Sequence, residues 1–73
     1  MSEAEIRAAI LDYLREKGRA QAFSVRTALH MSSPEFVQIW DNLLEEGEIE
    51  VCPGYHPNYY LAMFQLRVQP RLL

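Results

Sequence analysis

The chain has 73 residues, of which 49% are hydrophobic and 23% charged, and its net charge at pH 7 is −3. This length fits one small domain, and the hydrophobic content is too high for a disordered chain but sufficient for a single packed core. No apolar run approaches the roughly 18 residues that a membrane-spanning helix needs, and the acidic N-terminus lacks the plan of a secretion signal, so we expect neither membrane insertion nor secretion.

The first predicted helix runs from about Glu3 to Lys17. Ser2 and Glu5 have the spacing of a capping box, in which each residue satisfies a backbone N–H of the other. Apolar residues then recur every three or four positions, which is the pattern of an amphipathic helix: they are Ile6, Ala9, Ile10, Tyr13 and Leu14. Gly18 follows two basic residues, as is typical of a helix C-terminus.

Two short elements are predicted next. Residues 20–23 favour a brief edge strand. Ser24 is placed to cap a second helix over residues 25–30. The inward residues of that helix would be Val25, Ala28 and Leu29.

The third helix has the clearest boundaries. Ser33 is a favourable N-cap, and Pro34 would stand at the first helical position, where its missing N–H costs nothing. Gly47 provides the stop. The apolar stripe between them consists of Phe36, Ile39, Trp40, Leu43 and Leu44.

A β-hairpin is predicted after the third helix. Residues 48–52 alternate polar and apolar, with Ile49 and Val51 on one side, and therefore predict a strand. Pro53-Gly54 favours a turn. Residues 59–64 predict the returning strand, which Leu66 and Val68 could prolong.

These elements follow one another as helix, short strand, helix, helix, strand, turn and strand. With Phe36, Trp40, Leu43, Gly47 and Ile49 at their spacing, then Pro53-Gly54, Tyr59 and Leu61, the chain resembles the winged helix-turn-helix family over about residues 3–64. The resemblance implies an α+β fold, in which a three-helix core is closed by a C-terminal two-stranded β-hairpin, the wing. Residues 1–73 would form this single domain, with residues 65–73 as an apolar tail. The family includes many unrelated regulators, so the fold specifies no particular activity.

The outward face of the third helix supports one functional hypothesis, a sequence-specific DNA-binding transcriptional regulator. Gln38 and Asn42 lie one helical turn apart, and both side chains can form paired hydrogen bonds with adenine in the major groove. Arg19 and Arg26 would contact the DNA backbone in the docking that is usual for the family.

The charge distribution opposes that hypothesis. From Thr27 to Leu66 the chain contains no lysine or arginine but six acidic residues. Nonspecific DNA affinity comes mainly from lysines and arginines that displace counterions from phosphates, and this stretch supplies none. A few winged helices use a proline-rich wing on unusual nucleic-acid helices, but they call for an outward Asn, an outward Tyr and lysines on the third helix. On the third helix of this chain, Val37 and Asp41 stand where that Asn and Tyr would be needed.

The leading hypothesis is therefore a non-catalytic regulatory module that contacts a protein partner or a second copy of itself. Tyr55, Tyr59 and Tyr60 crowd the wing, and tyrosines are frequent interface anchors. Leu66 and Val68 belong to the apolar tail, and an exposed apolar patch is most simply explained by an interface. DNA binding remains the alternative.

Metal binding and catalysis are not expected. Cys52 and His56 make only half of a tetrahedral metal site, so we predict no metal and no cofactor. The sequence offers no nucleophile–base pairing and no Gly-rich phosphate loop, so we predict no enzyme activity. A single cysteine excludes an internal disulfide and suits a reducing compartment, which favours the cytoplasm.

Overall fold

The computed structural model describes residues 2–52 and 62–67. Within these ranges the elements are, in chain order, α1 (Glu3–Lys17), β1 (Ala20–Gln21), α2 (Ala22–Ala28), α3 (Ser33–Glu45), β2 (Ile49–Val51) and β3 (Met63–Leu66). The predicted order of helices and strands is therefore confirmed. No helix in the described ranges is both long and apolar enough to span a membrane.

Both ends of α1 have the predicted caps. The Glu5 backbone N–H donates to Ser2 Oγ at 3.2 Å, and the Ser2 backbone N–H donates to Glu5 Oε1 at 3.2 Å. These hydrogen bonds hold the pKa of Glu5 below its ordinary value. At the other end, Gly18 adopts φ 84° and its N–H donates to the Leu14 carbonyl at 2.8 Å. Local chemistry therefore determines the length of this helix.

The start of α2 differs from the prediction. The helix begins at Ala22 with Gln21 as N-cap, so Ser24 lies inside the helix and caps nothing. The predicted strand is correspondingly shorter, because only Ala20 and Gln21 pair with β3. Ala28 is exposed and was wrongly predicted to face inward, whereas the earlier start buries Ala22 at 2% exposure.

The third helix also starts one residue earlier than predicted. Its N-cap is Ser32 rather than Ser33, so Pro34 occupies the second helical position. The ring of Trp40 stacks on Phe36 with centroids 5.1 Å apart and meets Phe64 of β3 edge-on at 5.0 Å. Four members of the predicted stripe are buried: Phe36, Ile39, Trp40 and Leu43. Leu44 packs against them and is partly exposed.

The sheet has three antiparallel strands in the order β1-β3-β2. The predicted two-stranded hairpin therefore gains a third strand, because β3 pairs with β1 on its other side. Ile49 faces the core at 2% exposure, but Val51 is 49% exposed, so the expected common inward side is wrong for Val51. The reason is position: Val51 is the last residue of an edge strand, where nothing among the described residues covers it.

The core lies between the three helices and the inner face of this sheet. α1 packs against both β3 and α3, which places the outer side of α3 at the surface. The buried cluster also contains Ile6, Ile10, Leu14, Ala20, Val25 and Ala62.

Candidate functional site

The outward side of α3 is a polar surface of the described part of the chain. Because Phe36, Trp40 and Leu43 bury one side of the helix, the residues opposite them face solvent. Gln38 is exposed and Asn42 is half-buried on that side. The structure therefore brings Gln38 and Asn42 together on one face, as predicted from their spacing.

Acidic residues share this face. Glu35, Asp41 and Glu45 are exposed, and Val37 is half-buried beside them. Neither Glu35 nor Glu45 belongs to an ion pair with another described residue. The face is therefore negative as well as rich in hydrogen-bonding groups.

The turn that leads into α3 is held by Arg26. Its Nη1 donates to the Met31 carbonyl at 3.2 Å, and its guanidinium carbon lies 5.5 Å from the centre of the Phe23 ring. His30, within this turn, has a left-handed backbone with φ 55°. Arg26 thus has a structural role that sequence reasoning missed, because its partner is a backbone carbonyl that leaves no signal in residue type.

The far end of α3 is held by a second arginine. Arg7 of α1 donates from Nη1 and Nη2 to the two carboxylate oxygens of Glu46, at 2.9 and 2.7 Å. This pairing lowers the pKa of Glu46 and raises that of Arg7. Glu46 is the C-cap of α3, so the ion pair fixes the end of this helix to α1. The two residues are too far apart in sequence for any local pattern to predict the contact.

The cations predicted to contact phosphates occupy different settings. Arg19 is exposed between α1 and β1, and no ion pair joins it to a described carboxylate. Arg26 is half-buried and already shares its guanidinium with the α2–α3 turn, although that group has five N–H donors in all. Phosphate contact by either residue stays a prediction.

The residues expected to form a protein interface are mostly outside the described ranges. Tyr55, Tyr59, Tyr60 and Val68 fall there. Leu66 is half-buried in β3, opposite Ile49, and packs against the core. Leu66 therefore belongs to the sheet and not to a separate apolar tail.

Cys52 directly follows β2 and is hydrogen-bonded to a residue of β3. Its buried thiol donates to Gln65 Oε1 at 3.4 Å, and Gln65 Nε2 in turn donates to Glu50 Oε2 at 2.9 Å. His56 lies outside the described ranges. Among the described residues, no group of three or more potential metal ligands is found.

The chain was compared with known proteins at the level of sequence and of structure. It matches no protein-family model and no curated protein sequence. The solved structure of the Zalpha domain of PKZ from Carassius auratus, in complex with Z-DNA, matches with a TM-score of 0.71 at 15% identity. The match covers 90% of this chain and 98% of that domain. The predicted winged-helix fold, α+β with three helices and a small antiparallel sheet, is confirmed.

This comparison corrects the leading functional hypothesis. The sequence favours a module acting through protein–protein or homodimer contacts, because α3 contains no lysine or arginine. The solved domain that shares this fold over nearly its full length is bound to DNA, which favours the alternative hypothesis instead.

Proposed function

We propose that this winged helix is a non-catalytic DNA-binding module that docks duplex DNA against the outward face of α3. The observation that carries this proposal is the match to a domain solved with DNA bound, over 98% of the length of that domain.

Base contacts would come from the exposed line of α3. Gln38 and Asn42 are one turn apart on the surface, and each can form two hydrogen bonds with an adenine edge. Backbone contacts would come from Arg19 and from the start of α3. The Ser32 side chain makes no capping hydrogen bond, and backbone N–H groups at a helix N-terminus bind phosphate oxygens well.

The acidic side chains on the same face give this binding a particular character. With few cations to displace counterions, affinity for arbitrary sequence would be low. Carboxylates also repel phosphates that approach in the wrong orientation, and such repulsion improves discrimination between partners. The module would therefore bind selectively and weakly, and not as a general DNA-coating protein.

The form of the duplex is a separate question, because the matched domain is bound to Z-DNA. The winged helices that take unusual helices through a proline-rich wing call for an outward Asn and Tyr on the third helix. This chain has Val37, which is half-buried, and Asp41, which is exposed. Right-handed DNA, with a major groove that Gln38 and Asn42 can read, is therefore the proposed ligand, and left-handed DNA is the second candidate.

An amide NMR titration tests both candidates. The labelled protein is titrated at about 50 mM salt, where DNA binding is favoured, with a mixed-sequence duplex and separately with an alternating C–G duplex locked in the left-handed form. We expect the mixed duplex to shift the amide resonances of Gln38, Asn42 and Arg19. The amide resonance of Glu16 on α1 should stay unchanged. Shifts with the left-handed duplex alone would select the second candidate. An unchanged spectrum at high excess of both duplexes would refute DNA binding by this domain.

A further inference from the structure

Three exposed or half-buried side chains form one line along α3. Glu35, Gln38 and Asn42 follow at i, i+3 and i+7, which places them above one another on a helix. The buried residue Trp40 occupies the opposite side of the helix. The side chains of Glu35, Gln38 and Asn42 form no hydrogen bond with another described residue. The line is therefore an uncommitted set of hydrogen-bonding groups.

The chemistry of the line is biased toward acceptors. An ionised Glu only accepts hydrogen bonds, while Gln and Asn side chains both accept and donate. No lysine or arginine occurs on α3 itself, and the two arginines at its ends, Arg26 and Arg7, already donate to the Met31 carbonyl and to Glu46. In the major groove, adenine and cytosine present exocyclic amino donors, whereas guanine presents the two acceptors O6 and N7. An acceptor-rich line matches the amino bases and is mismatched to guanine.

We propose that α3 selects duplex DNA through the amino groups of adenine and cytosine, with Glu35 as the residue that specifies cytosine. This base preference rests on the proposed DNA binding and specifies which bases the bound duplex contains. Glu35 would accept from N4 of cytosine, and Gln38 and Asn42 would pair with adenines. At 1.5 Å rise per residue the line is about 10 Å long, which corresponds to about three base-pair steps.

The position of Glu35 suits this role. It lies in the first turn of α3, and N-terminal residues of a recognition helix are the ones that usually reach base edges. An acidic residue in a first turn also stabilises the helix by its interaction with the helix dipole. Glu3 in the first turn of α1 has the same dipole interaction and is likewise exposed, but it lies on a different helix. Glu3 is therefore a control for charge and for position in a first turn. Because Glu3 also attracts Arg7, the thermal midpoint of the Glu3→Arg variant is measured first to show that α3 is still held in place.

The test is a selection from a random duplex library with three proteins: wild type, Glu35→Arg and Glu3→Arg. Both variants gain the same positive charge and lose the same kind of dipole contact. An arginine in place of Glu35 can form two hydrogen bonds with guanine O6 and N7. We expect wild type to enrich cytosine at one position beside an adenine-containing site. E35R should enrich guanine at that position by roughly fivefold or more over cytosine, and E3R should retain the wild-type site.

Several outcomes would overturn this base preference. The same enriched site with E35R as with wild type would show that Glu35 does not touch a base. A shift to guanine with E3R as well would show an effect of net charge only. Enrichment of no base, although wild type binds duplexes in the NMR titration, would leave DNA binding intact and refute the base preference. Failure of wild type to bind any duplex would refute both.

Discussion

Arg26 and Met31 are joined by two hydrogen bonds that run in opposite directions. The Met31 backbone N–H donates to the Arg26 carbonyl at 3.3 Å, and Arg26 Nη1 donates back to the Met31 carbonyl at 3.2 Å. The two residues flank the end of α2 and the turn before α3, so this reciprocal pair sets how α3 leaves the core. The ion pair of Arg7 with Glu46 holds the opposite end of the same helix.

Removal of the Arg26 side chain should destabilise the domain and loosen the turn. Arg26→Ala leaves the Met31 carbonyl without its side-chain donor, and we expect a loss of about 1 kcal/mol in the free energy of unfolding. Urea denaturation measures this loss. Arg15→Ala is the matched control. Among the described residues Arg15 forms an ion pair only with Asp12, on the surface, so its removal should change stability little. Equal effects of the two variants would contradict a role for Arg26 in the turn.

The ion pair of Arg7 with Glu46 should make stability depend on pH. The bound guanidinium lowers the pKa of Glu46 in the folded state, so the unfolded chain binds the proton more readily. The stabilisation is therefore present at neutral pH and is lost as the pH falls through the lowered pKa of Glu46. We expect Glu46→Gln to be less stable than wild type at pH 7, with the difference vanishing in acid. Chemical denaturation at several pH values measures this, and a constant difference would contradict it.

Trp40 carries a buried polar group that has no partner among the described residues. Its Nε1 has no hydrogen bond within the described part of the chain, although the side chain is only 1% exposed. Trp40→Phe removes that unsatisfied N–H, which relieves a penalty of about 1–3 kcal/mol and offsets the lost packing. We therefore expect a net change below about 1 kcal/mol in the free energy of unfolding. Phe64→Leu truncates another fully buried aromatic ring without that relief and should be clearly more destabilising. An equal or larger loss in W40F would contradict a net relief from removal of Nε1.

Salt should weaken DNA binding only gradually. If Arg19 and one further cation contact phosphates, the logarithm of the affinity should fall against the logarithm of salt concentration with a slope of about −2. Fluorescence anisotropy with a selected duplex at several salt concentrations measures the slope. Arg19→Ala should reduce it by about 1. A slope of about −6 or steeper would contradict the view that bases, and not phosphates, dominate the contact.

Truncation of the reading side chains should separate binding from folding. Gln38 is exposed, so Gln38→Ala should leave the thermal midpoint unchanged. The same variant should weaken the binding free energy for a selected duplex by about 1–3 kcal/mol. Asn42→Ala should weaken binding to the same duplex and relax the base preference at a neighbouring position. Glu16→Ala, an exposed change on α1, is the control and should alter neither property. Wild-type affinity in both α3 variants would place the DNA elsewhere on the domain.

Much of the fold is encoded in local patterns that a reader of the sequence can recognise. The capping box of Ser2 and Glu5 fixes the start of α1, and Gly18 and Gly47 take the left-handed backbone that ends α1 and the turn after α3. These signals act within a few residues, so they survive without knowledge of the rest of the chain. The outward placement of Gln38 and Asn42 follows in the same way from the apolar period of α3.

Contacts between residues that are distant in sequence could not be predicted from local patterns. Ala20 and Gln21 pair with β3, and α2 begins directly after them, earlier than a helix capped by Ser24 would begin. The strand pairing and the burial of the core contribute more free energy than a single capping side chain. The Arg7–Glu46 ion pair depends on how α1 crosses α3. Short-range periodicity and capping therefore predict the helices and their outward residues. The third strand and the two arginine contacts that hold α3 depend on the packed topology.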